Sequence, residues 1–190
     1  MQFSLFGAAA ADPVIQDLDG LLLAGGAWVR TEHFAAARLS LLVDAEWRAA
    51  ALRLELAARG LHSDTADAPG GLIAVRTEIT DLLLPQAARW TKGASLRLPL
   101  GFDLSASGLR LWAIASGRMA QPGYLLGVSD PDGEIHRAAG AQLARLGVTA
   151  VDVGIRGGPG WRVTSVKRLR RLAELLGETP DGAGADWPVR

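Results

Sequence analysis

The chain has 190 residues, 49% hydrophobic and 21% charged, and its 20 Lys and Arg balance 20 Asp and Glu. That composition suits a globular protein large enough to bury a core, and zero net charge argues against a strong nonspecific binder of nucleic acid. The absence of cysteine rules out disulfides and thiolate metal sites. From the N-terminus, a helical run from Ile15 to Leu23 meets a Gly25-Gly26 break. A short strand at Trp28–Thr31 and a mostly apolar one at Arg38–Val43 follow. Asp44 is placed to cap a helix from Ala45 to Arg59, which Gly60 stops. His62 to Thr77 reads as a hairpin turning at Asp67-Ala68-Pro69-Gly70-Gly71. A last helix runs from Asp81 to Trp90, with Pro85 near its first turn.

The second half repeats this order. A helix from Ser107 to Ala115 meets Gly117, Tyr124–Val128 is a strand, and Asp130-Pro131-Asp132 leads into a helix ending at Leu146-Gly147. Thr149 to Ile155 has the period of a half-buried strand, Gly157-Gly158-Pro159-Gly160 turns it, and Trp161–Val166 returns. Lys167 to Leu176 is the closing helix, with Gly177 as its stop. Arg76 and Arg162 fall at matching places, as do Gly60 and Gly147. The pattern predicts an α+β chain with a duplicated αββαββα order. Its expected parts are an N-terminal arm (1–14), a first repeat (15–92), a linker (93–106), a second repeat (107–178) and a C-terminal tail (179–190), a loose end held at Trp187.

The run Leu18-Asp19-Gly20-Leu21-Leu22-Leu23-Ala24-Gly25-Gly26 resembles the nonapeptide of the LAGLIDADG homing endonucleases. A poorer second copy is Leu109-Arg110-Leu111-Trp112-Ala113-Ile114-Ala115-Ser116-Gly117. The connector, Lys92 to Pro99 ahead of Ser105 to Trp112, is similar to the family's basic-then-proline link. The resemblance covers about residues 15 to 178 and implies two antiparallel sheets forming a saddle over duplex DNA. It also implies that small residues let the two motif helices pack closely, here Gly20 and Ala24 against Ala113 and Ser116. In the family the sixth and eighth motif positions are acidic, and the eighth binds the catalytic metal. Here they are Leu23 and Gly25, and Ile114 and Ser116, which offer no carboxylate to Mg²⁺. The implied protein is a LAGLIDADG-like fold without a catalytic centre, metal or cofactor. It is similar in kind to the N-terminal domain of the WhiA family of regulators, although 190 residues leave no length for the helix-turn-helix domain those proteins carry.

Strand alternation predicts which cations face the saddle. With Val75 and Thr77 inward, Arg76 points out; with Val151, Val153 and Ile155 inward, Asp152 and Arg156 point out. Trp161 and Val163 inward leave Arg162 and Thr164 outward, and Arg30, Arg38 and Arg118 are weaker additions. Lys167, Arg168 and Arg171 form the densest basic cluster, read as a solvated helix face or a phosphate contact at the saddle's edge. Residues 96–190 hold twelve basic against nine acidic residues, and residues 1–95 eight against eleven, so the second half is the better polyanion surface.

Other constellations read as structural. Asp130-Pro131-Asp132-Gly133-Glu134 lacks calcium-loop spacing and suits a turn and cap. His62-Ser63-Asp64 has the residue types of a triad but only as sequence neighbours. His33, His62 and His136 have no metal spacing, and Arg156-Gly157-Gly158-Pro159-Gly160 lacks the Lys-Ser/Thr of a phosphate loop. The basic residues are arginines apart from Lys92 and Lys167, which with the Ala and Gly load points to a GC-rich, actinobacterial type of genome. No basic n-region precedes the short apolar start, and no run nears the ~20 apolar residues of a spanning helix. A cytoplasmic location without membrane association is therefore expected. Three functional readings stay open: a non-cutting DNA-binding or regulatory protein whose partner is duplex DNA or a nucleoprotein, a scaffold for a regulatory protein partner, and, behind these, a small hydrolase using His62 or His136.

Overall fold

The first motif run starts as a 3₁₀ turn, Ile15–Leu18, and continues as α1, Asp19–Leu23, buried at every residue. The computed structural model that shows this describes residues 7–8, 11–31, 35–93, 95–129, 133–154 and 158–188. Strands β1 (Ala27–Thr31) and β2 (Ala36–Val43), helix α2 (Glu46–Ala57), strands β3 (Ser63–Ala68) and β4 (Leu72–Thr77) and helix α3 (Leu84–Trp90) complete the first unit. A small connector hairpin pairs β5 (Thr91–Lys92) with β6 (Ser95–Leu96).

The second unit comprises α4 (Ala106–Ser116), β7 (Gly117–Met119), β8 (Tyr124–Gly127), α5 (Glu134–Arg145), β9 (Val151–Val153), β10 (Gly160–Val163) and α6 (Val166–Leu176). The sheet orders, β1-β2-β4-β3 and β7-β8-β10-β9, are the same antiparallel arrangement used twice. Gly60 and Gly147, at φ +72° and +79°, end α2 and α5 in the left-handed conformation that favours glycine.

The structure corrects one local expectation and adds detail to two others. The residue capping α2 is Ala45, without a side-chain bond; Asp44 instead pairs with Arg48 Nε at 2.8 Å. The duplicated order calls for β7, but no local pattern places it, and the connector hairpin is likewise unmarked, because two or three residues are too few for an alternation to register. The tail is anchored. Trp187 is buried, the Arg110 guanidinium lies 5.5 Å from its ring, and Ala183 is buried beside it.

Helices α1 and α4 cross at the centre of the molecule. A Cβ added to Gly20 would sit 1.8 Å from the Gly108 carbonyl oxygen, so the two backbones touch where neither residue has a side chain. Buried polar groups tie the units across this crossing. Asp17 accepts from Arg59 Nη2 at 2.9 Å and from Ser105 Oγ at 2.7 Å, and Ser105 Oγ caps α4 by accepting from Gly108 N. Glu55 pairs with both Arg59 and Arg110, and Arg110 Nη1 donates to the carbonyls of Leu176, the last residue of α6, and of Glu178 just beyond it. Arg48, from the first unit, donates to the Ala113, Ile114 and Gly117 carbonyls and so finishes α4.

Candidate nucleic-acid interface

The motif positions come first, because in a cutting enzyme of this kind they would hold a metal. Leu23 and Ile114 are fully buried in the core. Gly25 has φ +103°, and a Cβ there would lie 3.2 Å from Ser129 Cβ. Ser116 Oγ donates to the Gly127 carbonyl at 2.9 Å, within its own unit. Two apolar side chains, a glycine with no side chain and an engaged hydroxyl do not fit a divalent cation, which wants several hard oxygens. Among the described residues no three His, Cys, Asp or Glu side chains converge as a metal set.

The packing candidates distribute differently. Gly20 meets Gly108, a residue the sequence did not single out. Ala24 is half-buried, while Ala113 is fully buried and offers its carbonyl to Arg48.

Register assigns each sheet residue to a face. On the first sheet, Leu39, Leu41, Val43, Val75 and Thr77 turn to the helices and are buried. Arg38 stands opposite Val29, and Arg76 stands opposite Ser40 on one side and Asp64 on the other, all on the outer face. Val29 and Leu42, 39% and 53% exposed, share that face. On the second sheet the row Arg118, Leu125, Arg162, Val151 crosses all four strands on the outer face. Leu125 is nonetheless fully buried, with Arg118 lying over the Gly158 backbone beside it.

Here two expectations fail: Arg30 stands opposite Ala37 on the helix-facing side of the first sheet, and on the second sheet the phase of β9 is reversed. Val151 and Val153 lie on the outer face, Val151 at 57% exposure, and Asp152 faces the helices. Asp152 pairs across β10 with Trp161, and its carboxylate reaches His136 Nε2 of α5 at 2.9 Å. The His136 ring is stacked on Trp161 with centroids 4.8 Å apart. The aromatic stack draws the aspartate inward, and three-residue β9 is too short for its valines to outvote it. Arg156 lies outside the described residues.

The remaining cations belong to a separate surface. Leu172, Leu175 and Leu176 of α6 join the same buried cluster as the inward-facing Leu126 and Val163, so α6 sits in the helix layer. Lys167, Arg168 and Arg171 therefore do not share a face with Arg118 and Arg162.

Asp19 is the buried acid of the first motif. Its Oδ1 accepts from Trp90 Nε1 at 2.6 Å and from Gln86 Nε2, while its Oδ2 accepts no hydrogen bond and faces the Arg89 guanidinium at 3.8 Å. Burial pushes the carboxyl up to about 6, against the opposing pull of the Trp90 bond, the Arg89 charge and the Gln86 bond. A raised carboxyl pKa means the folded state holds a proton that the unfolded chain has lost. Stability from neutral Asp19 is complete below about pH 4 and is lost as pH rises through about 6. Asp19→Asn should keep the Oδ1 acceptor and remove this fall, gaining about 3 kcal/mol over wild type above pH 7. Urea unfolding at pH 4.5 and 7.5 checks it; equal pH dependence in both proteins would refute it.

The crossed motif helices, paired four-stranded sheets and flanking helices define a LAGLIDADG fold of two repeats. The structures it resembles include full-length DUF199/WhiA from Thermatoga maritima, at TM-score 0.60 and 13% identity over 87% of this chain. The chain spans 55% of that protein's length, and its outline fits the part crystallised separately as the N-terminal LAGLIDADG domain of DUF199/WhiA. The likeness to that domain has TM-score 0.59 and 15% identity, covering 94% of this chain and 87% of the domain. The homing endonuclease I-WcaI, bound to its DNA recognition sequence, matches at TM-score 0.58 and 8% identity over 85% of this chain and 80% of its own. No family model and no curated protein matches the sequence. No helix among the described residues is long and apolar enough to cross a membrane.

Proposed function

We propose that this chain binds duplex DNA, free or within a nucleoprotein, on the outer faces of its sheets and does not cut it. The observation that carries this reading is the row Arg118, Leu125, Arg162, Val151, with Asp152 turned to the opposite face. Among the described residues, that row and its strand neighbours Gly127, Val153 and Gly160 contain no acid. Guanidinium forks suit phosphate and guanine edges, and the buried Leu125 beneath them keeps the platform stiff. Arg38 and Arg76 would extend the contact onto the first sheet. Loss of cutting follows from Gly25 and Ser116 at the eighth motif positions, where no carboxylate is available to a metal.

Fluorescence anisotropy with random-sequence duplex, in EDTA, tests both parts. Wild type should bind with micromolar or tighter affinity that falls steeply between about 50 and 200 mM salt. Arg118→Ala/Arg162→Ala should lower the salt slope by about two, one per phosphate contact. Plasmid incubated with Mg²⁺ or Mn²⁺ should stay intact. An unchanged slope would remove the arginine pair from the interface, and metal-dependent nicking by pure protein would overturn the non-cutting half.

A second reading, a protein-interaction scaffold, draws on the first sheet alone. There Asp64 faces Arg76, and Leu42 and Val29 are exposed, a mixture typical of protein contacts. Capture of one stoichiometric protein by a chain that fails to bind DNA at low salt would favour it.

A further inference from the structure

Helix α6 carries its charge at the wrong end. A helix N-terminus favours acids, and α2 and α5 begin with Glu46 and Glu134. Helix α6 has no acid in its first turn and no side-chain cap at Ser165, yet Lys167 and Arg168 open it and Arg170 and Arg171 follow. It folds because Leu172, Ala173, Leu175 and Leu176 are buried. The cations are not needed by the fold either. The corresponding helix of the first repeat, α3, has one cation, Arg89, which is spent on Asp19. Arg171 is held by the Leu146 carbonyl and Glu174. Lys167, Arg168 and Arg170 have no bonded partner among the described residues, and with Ser165, Gly147 and Glu174 they line one depression.

We propose that this depression docks an acidic segment of a partner protein, independently of any DNA on the sheets. Three features select protein over nucleic acid. The patch lies in the helix layer, away from the outer face that holds Arg118 and Arg162. Glu174 closes one end, where its carboxylate can accept from a peptide's backbone amides, donors that a phosphate backbone lacks. Val166, 73% exposed between Ser165 and Lys167, offers an apolar foothold that a phosphate track would not use. The occupant is an acidic stretch interrupted by an apolar side chain.

The test uses the full chain and a fluorescein-labelled peptide of repeated Glu-Glu-Leu-Glu, beside a labelled duplex. Lys167→Glu/Arg168→Glu/Arg170→Glu is expected to fold at least as well as wild type, because acids suit that helix end; a thermal melt checks this. Peptide binding should weaken at least about tenfold in the triple variant and stay unchanged in Arg118→Ala/Arg162→Ala, with duplex binding behaving the opposite way. Failure of wild type to bind the peptide, or an equal loss of duplex and peptide binding in the triple variant, would overturn the proposal. Loss of duplex binding alone in the triple variant would likewise overturn it, whereas a wild type that binds the peptide but no duplex would count against the DNA reading only.

Discussion

Gly20→Ala should destabilise the protein by about 3 kcal/mol, the upper range for forcing one methyl into a packed interior. The added Cβ would fall 1.8 Å from the Gly108 carbonyl oxygen, and that neighbour is backbone, with no rotamer through which to yield. Helix propensity pushes the other way, favouring alanine over glycine by about 1 kcal/mol. The sign of the change therefore decides between a touching and a merely adjacent pair of helices. Chemical unfolding of the purified variant measures it, and a stabilised Gly20→Ala protein would mean that α1 and α4 can part freely. Gly20→Val should leave little soluble protein.

Arg59→Met should cost about 3–5 kcal/mol, the range for breaking one side of a buried ion pair. Arg59 and Asp17 have side chains only 1% and 4% exposed, and the pair is 2.9 Å apart. Removing the guanidinium leaves Asp17 charged in the interior with two neutral donors, Ser105 Oγ and Val14 N. Glu55 is less affected because Arg110 still pairs with it. The double variant Asp17→Leu/Arg59→Met should recover much of the loss, since the cost lies in the orphaned charge. A double variant as unstable as Arg59→Met would assign the loss to packing instead.

The element order could be read from the sequence because its signals were local and repeated. Glycine stops at 60 and 147, the Pro-Gly-Gly turn at 69–71 and the apolar helix faces each announce a boundary. Sidedness was harder to read. Alternation gives the period of a strand, and its phase is taken from the assumption that valine points inward. On the second sheet both faces carry apolar residues, and Leu125 is buried on the outer one, so hydrophobicity does not distinguish them. Trp161 stacked on His136 sets the phase, a contact between residues 25 apart that no local pattern reports. Arg162 lies on the outer face as alternation predicts, whereas its neighbour Arg118 is set there by strand pairing, in a strand too short to carry a pattern. Gly108 was missed because its partner lies 88 residues away.

Arg48 makes the tandem arrangement a mutual dependence. The carbonyls that end α4 receive their donors from a guanidinium on α2, and Asp17 of the first repeat holds the hydroxyl that starts the same helix. Each end of the second repeat's founding helix is thus completed by the first. The two halves, although laid out in sequence like separable modules, should therefore unfold in a single cooperative transition, with neither folding as a fragment; two resolved transitions in a thermal melt would refute this.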